Sequence, residues 1–200
     1  MVKSSTVTVV VNKINTSLSI SLSKTSGAPL DWIKITGKLT RDDTGAGLGG
    51  KTVTLWVNGI KEKSTTTASD GSYKFDWKCP EEGRYDIYTH FDGDVTFWPC
   101  DSPLRTFTAS KLSTSITIDV SPTRGDAPLK VKITGKIMGE DKPIAVPIEL
   151  YINGEKVDEK FSNSDGSYSF TYTFETPGRF DIYTEFKGNV RYRGCEAWPW

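Results

Sequence analysis

The stretch SDGSYKFDWKCPEEGRYDIYTHF (69–91) is answered by SDGSYSFTYTFETPGRFDIYTEF (164–186), with 13 of 23 positions identical and no gap. Upstream, KITGKL (34–39) is answered by KITGKI (132–137), at an offset of 98 rather than 95. The difference is absorbed between the two matches, where TRDDTGAGLGGK (40–51) is three residues longer than MGEDKPIAV (138–146). Length variation confined to a Gly- and Asp-rich segment is what a surface loop tolerates. The chain is a module of about 95 residues written twice.

Inside each copy the hydrophobic period is two. SLSISL (17–22), WIKITGKL (32–39) and KTVTLWVNG (51–59) alternate apolar and polar residues, as do TSITIDV (114–120), LKVKITGKI (129–137) and IELYING (148–154). KTVTLWVNG and IELYING both end in Asn-Gly, the strongest short hairpin signal. Tyr73, Phe75 and Trp77 share one strand face, matched by Tyr168, Phe170 and Tyr172. No segment carries a sustained helical period. Short strands with a turn signal every eight to twelve residues, in units near 100 residues, predict antiparallel β-sandwiches.

The pattern ITG…V.L.VNG…DGSY.F…GRYDIYT.F.G…Y..C resembles the bacterial and archaeal immunoglobulin-like (Big-type) repeats of cell-surface proteins. It is also similar to prealbumin-like, carboxypeptidase-regulatory modules, which share the DG-Y-F … G-Y core. The resemblance implies an all-β chain of two tandem antiparallel immunoglobulin-like β-sandwiches. It further implies extracellular or cell-surface display, with neighbouring modules or other copies of the chain as partners. The disulfide-plus-Trp signature of antibody domains is absent.

The expected division is a leading strand at 1–14, a first module at 15–110 and a second at 111–200. The first module continues after Cys100 into LRTFTAS (104–110), which reads as a final strand, whereas the second has only EAWPW after Cys195. Carried back by 98, the same offset lays VTVVVNKI (7–14) over RTFTASKL (105–112). This alignment leads to the expectation of a leading last strand and of a second module without its final one. Either the chain is a window on a longer array, or 7–14 extends the first strand of module one, or Val7, Val9 and Val11 enter the open second module of another molecule. The last arrangement is a heterologous contact that builds filaments. The linker ASKLSTS (109–115) has no Pro- or Gly-rich run, which predicts limited hinge freedom.

Lys+Arg and Asp+Glu balance at 25 each, so no net field recruits nucleic acid, and no apolar run approaches the roughly 18 residues of a membrane helix. Catalysis is not expected. The single histidine, His90, sits on the solvent side of its strand, and no nucleophile elbow, zinc helix motif, P-loop or dinucleotide motif occurs. GAGLGG (45–50) precedes no helix and reads as a flexible loop, and RGD (124–126) as loop chemistry. No cofactor is expected; the candidate calcium ligands are Asp92 and Asp94, with Asp42, Asp43 and Asp70 as further loop carboxylates, all of which also suit turns. Cys79, Cys100 and Cys195 are an odd set with no metal spacing, open to free thiols or an intermolecular bridge. Trp56, Tyr88 and Trp98 lie opposite the core face of adjacent strands and are candidates for contact with a partner or a polysaccharide. Trp198 and Trp200 are candidates to cap the open module. The alternatives to a surface module are a carbohydrate-binding accessory region of a secreted enzyme and a virion decoration component.

Overall fold

The computed structural model describes residues 7–140 and 142–198, and every regular element among them is a strand. The chain divides into two compact units, Met1–Ala109 and Ser110–Trp200. The first unit carries β1 (Thr16–Leu18), β2 (Ser21–Leu22), β3 (Ser26–Gly27), β4 (Trp32–Arg41), β5 (Thr52–Val57), β6 (Ile60–Thr66), β7 (Ser72–Lys78), β8 (Gly83–Phe91), β9 (Cys100–Asp101) and β10 (Arg105–Ala109). One sheet sets β1 and β2 along one side of β4 and β7 along the other. The second runs β3-β10-β8-β5-β6, with β9 also on β8. The A-type strand is thus split: β1 and β2 pair antiparallel with β4, and β3 crosses to pair parallel with β10. That switch of sheets is the immunoglobulin-like connection, and both units have the two-sheet architecture that the sequence pattern implies.

Alternation builds the interior. Ile33, Ile35 and Leu39 of β4 and Phe75 and Trp77 of β7 meet Val53 and Leu55 of β5, Ile87 and Phe91 of β8, and Phe107 of β10 in one buried cluster. The intervening lysines of β4 and β7 point outward. Edge strand β6 carries Lys61 and Lys63, charges that discourage further strand pairing.

The repeated SDGSY motif now has a mechanical meaning. Asp70 Oδ1 accepts from the Ser72 amide at 3.0 Å and from its hydroxyl at 2.7 Å, while Gly71 turns at φ 84°. The turn throws Tyr73 inward, where its hydroxyl donates to the Ser19 carbonyl at 2.5 Å and lies 2.7 Å from Thr89 Oγ1. Gly37, directly opposite Tyr73 in the ladder, leaves room for this; a Cβ there would sit 2.0 Å from Ser19 O and 2.3 Å from Tyr73 Oη. The ITG and DGSY motifs are two halves of one lock between sheets.

The second unit repeats this in β11 (Thr114–Ser121), β12 (Leu129–Gly139), β13 (Lys142–Pro143), β14 (Pro147–Ile152), β15 (Glu155–Phe161), β16 (Ser167–Phe174), β17 (Ile182–Phe186) and β18 (Cys195–Ala197). Tyr168 reaches Thr117 O at 2.5 Å and Thr184 Oγ1 at 2.7 Å across Gly135. Burial pushes both the Tyr73 and Tyr168 hydroxyls up to about 12, so they act as neutral hydrogen-bond donors. Both Asn-Gly hairpins have positive φ at their two central residues, 49° and 76° at Asn58 and Gly59, 52° and 84° at Asn153 and Gly154. That is the turn whose twist suits the flanking strands.

Two expectations need correction. GAGLGG is not a loose loop: Leu48 is buried, its amide donates to Leu39 O at 2.9 Å, and its carbonyl accepts from Thr67 Oγ1 at 2.6 Å. One apolar residue among the glycines is enough to pin the segment to the core. Nor does 7–14 extend the first strand, since β1 begins at Thr16 and residues 7–13 pair with nothing in the ladders. Ile14 is docked by a parallel bridge to Phe97.

Candidate functional site

Of the three candidate contact aromatics, the fold brings two together. Trp56 and Tyr88 face each other across β5 and β8, with ring centroids 6.0 Å apart and planes within 10°. The Trp56 indole N–H is buried with no acceptor, a cost of about 1–3 kcal/mol. Its ring is half-buried. Trp98 is not part of that stack; it is half exposed, with Lys13 Nζ 5.2 Å from its ring centroid.

The second unit extends the motif. Tyr151 and Tyr183 stack at 4.7 Å, and Trp198 stacks on Tyr183 at 4.2 Å. Lys187 Nζ lies 5.2 Å from the Tyr151 ring on the same surface. Trp198 therefore lies on the outer sheet face, not over the module interior. Trp200 and residues 1–6 lie outside the described residues.

The carboxylate candidates do not converge. Asp94 Oδ2 accepts from Lys51 Nζ at 2.6 Å, while Oδ1 accepts from the amides of Thr96 and Phe97 at 2.8 and 2.9 Å. Lys51, then the Thr96 amide, holds the Asp94 carboxyl down at about 2. In the second unit Asn189 Oδ1 takes the corresponding amides, those of Arg191 and Tyr192, both at 2.9 Å. Val146 there occupies the place of Lys51. The loop needs an oxygen acceptor, and a charged one only where a lysine faces it. Asp92 points instead to His90 Nε2 at 3.0 Å, and Asp101 takes His90 Nδ1 at 2.7 Å. Among the described residues, no three His, Cys, Asp or Glu side chains are gathered to hold a metal.

A prediction follows for Asp94. Its folded-state pKa lies below the unfolded value, so its contribution is present above pH about 4 and is lost as pH falls towards 2. Asp94→Asn keeps the amide acceptor and loses the Lys51 pair. It is expected to lower the urea midpoint at pH 7, with the difference from wild type closing by pH 2. An equal difference at both pH values would refute this account. A calcium site using Asp94 would have to displace Lys51, and would show as a calcium-dependent rise in the wild-type midpoint.

Cys79, Cys100 and Cys195 are free. Burial pushes all three thiols up, and Thr16 Oγ1 lies 3.2 Å from Cys100 Sγ.

One feature of the second unit was only half legible in the sequence. In the first unit β10 pairs with the start of β8, from Arg105 opposite Ile87 to Ala109 opposite Gly83. Phe107 is 0% exposed there, edge-on to Trp77 at 6.0 Å. The counterpart of β8, β17, begins only at Ile182, and 178–181 belong to no strand. A groove of about 560 Å³ opens in that place, lined by Val120, Leu129, Val131, Phe174, Phe180 and Ile182, with the RGD loop at its rim. Tyr172, the counterpart of buried Trp77, is only half buried. Among the described residues no strand pairs with 178–181, and the groove there required the packed sheets to be seen.

No family model and no curated protein matches the chain. Among solved structures it is similar to the D0-D1 domain of intimin, over 90% of this chain and 98% of that one, at 18% identity and TM-score 0.36. It is similar to Clostridium thermocellum CbhA fibronectin(III)-like modules over 89% and 91%, at 12% identity and TM-score 0.35. It is similar also to the Yersinia pseudotuberculosis adhesin InvE over 90% and 57%, at 10% identity and TM-score 0.39. At such identities and TM-scores these proteins lend nothing to the assignment of individual residues.

Proposed function

We propose that this chain is a non-catalytic structural and adhesive module of a cell surface, spacing or displaying what it is joined to. Its partners are neighbouring modules or other copies of itself, associated head to tail by strand donation. The observation that carries the reading is where the polar groups of the candidate sites go. Asp70, Asp94, Asp165 and Asn189 each hold a turn or a loop, and Tyr73 and Tyr168 each join two sheets through Thr89 and Thr184. These groups are spent on architecture, twice, by the same geometry. Among the described residues no helix is long and apolar enough to cross a membrane.

The half-exposed Trp98 and Trp198 favour a second reading, stacking on sugar rings as an accessory region of a polysaccharide-active enzyme would. Titration with soluble polysaccharides separates the two. A spacing module leaves tryptophan emission unchanged. A saturable shift that disappears in Trp98→Ala or Trp198→Ala moves the assignment to carbohydrate binding.

A further inference from the structure

The groove of the second unit and the exposed valines of the leading segment match in register and in apolar character. Val7, Val9, Val10 and Val11 are 82%, 80%, 75% and 88% exposed, an apolar run that nothing in its own unit covers. At the offset of 98, Val9 stands where β10 has Phe107, and Val11 where it has Ala109, the two inward positions of that strand. Val7 and Thr8 correspond to Arg105 and Thr106. The docking residue beyond them is also shared. Ile14 bridges Phe97 in the first unit as Leu112 bridges Tyr192 in the second, each with parallel geometry. Residues 7–11 thus stand to the Ile14 anchor as β10 stands to the Leu112 anchor.

We infer that the groove between β11, β16 and the 178–182 edge is an acceptor for residues 7–11 of a second copy of this chain. This deepens the head-to-tail self-association proposed above and rests on that reading. The donated strand runs antiparallel to 178–182, in the register β10 takes on β8. Val7 faces Ile182, Val9 faces Phe180 and Val11 faces Gly178, matching Arg105 with Ile87, Phe107 with Tyr85 and Ala109 with Gly83. Val9 fills the space above Phe174 and Phe180, whose rings lie 4.3 Å apart at the groove wall. On its far side the strand lies along Arg124 and Gly125, counterparts of β3, which pairs with β10. Residues 178–180, which no ladder of their own unit pairs, gain a strand partner beside Asp181, already held by Asn153 at 2.8 and 2.9 Å, and the valines leave water. Because donor and acceptor lie on different surfaces, every assembly is left with one unused donor at one end and one unused acceptor at the other, so association propagates.

The test is sedimentation velocity of the 200-residue chain over rising concentration, with two variants. Val9→Asp alters a residue that makes no core contact, so folding is untouched and donation alone is lost. Phe180→Asp blocks acceptance, and circular dichroism checks its fold. The expected result is concentration-dependent growth for wild type, monomers for each variant alone, and a dimer that grows no further when the two variants are mixed. Wild-type chains that stay monomeric at the highest soluble concentration overturn the inference, as does Val9→Asp associating like wild type. A monomer whose 7–11 amides resist exchange also overturns it, because the strand is then seated within its own chain. None of these outcomes touches the non-catalytic reading, which the polysaccharide titration tests separately.

Discussion

Gly37→Ala is expected to destabilise the first unit by about 3 kcal/mol or more, the clash of a methyl group in a filled site plus a broken buried hydrogen bond. The added Cβ would lie 2.0 Å from Ser19 O, 2.3 Å from Tyr73 Oη and 2.4 Å from Tyr73 Cζ. The first is backbone between β1 and β2, held by the Ser19 amide's bond to Lys38 O at 3.0 Å, so it cannot swing aside as a long side chain does. Relief requires the Tyr73 ring to withdraw, which breaks its bond to Ser19 O and uncovers the buried Thr89 hydroxyl. At roughly 4–8 °C per kcal/mol for a domain of this size, the midpoint of the first unit should fall by about 12 °C or more. Gly135→Ala should do the same to the second unit, where Thr117 O and Tyr168 Oη sit at 2.0 and 2.3 Å. Thermal melts with peptide-resolved hydrogen exchange would show which half opens. A loss below about 1 kcal/mol in both would mean the tyrosine does not lie across its glycine.

Phe107→Ala is expected to cost about 3–5 kcal/mol, the range for emptying a buried aromatic site. Phe107 is fully buried, edge-on to Trp77, which is itself edge-on to Tyr85 at 5.1 Å. Removing the ring leaves a cavity beneath β10 and weakens its hold on β8. Exchange should accelerate first in Arg105–Ala109 and along the start of β8, with a red shift in tryptophan emission as Trp77 meets water. The second unit has its own interior and should melt unchanged. The variant gives the first unit a defect in the place where the second has its groove. Equal loss of protection in both units would show that they share one cooperative interior.

Much of this architecture is local and was therefore legible. Strand alternation places Ile33, Ile35, Phe75 and Trp77 inside because successive side chains point to opposite faces. Asn-Gly and Asp-Gly announce their turns because few residues tolerate positive φ. The duplication made each reading twice. The pairing of Trp56 with Tyr88 followed from the same parity, whereas the separation of Trp98 from them did not, because Trp98 lies in an irregular stretch where period two says nothing. The engagement of Asp94 by Lys51 was equally out of reach, since 43 residues separate them and only the folded loop brings them together.

By itself the sequence determined that this chain is two copies of an all-β unit and where its strands and turns fall. These follow from side-chain period and turn chemistry, which act over a few residues. Only the tertiary structure decided what each repeated motif holds: Tyr73 reaching Ser19 across Gly37, β3 lying parallel to β10, and the walls of the groove meeting between two sheets. Such contacts depend on how distant segments close on one another. A repeat is written in one dimension, while the walls of a groove exist only in three.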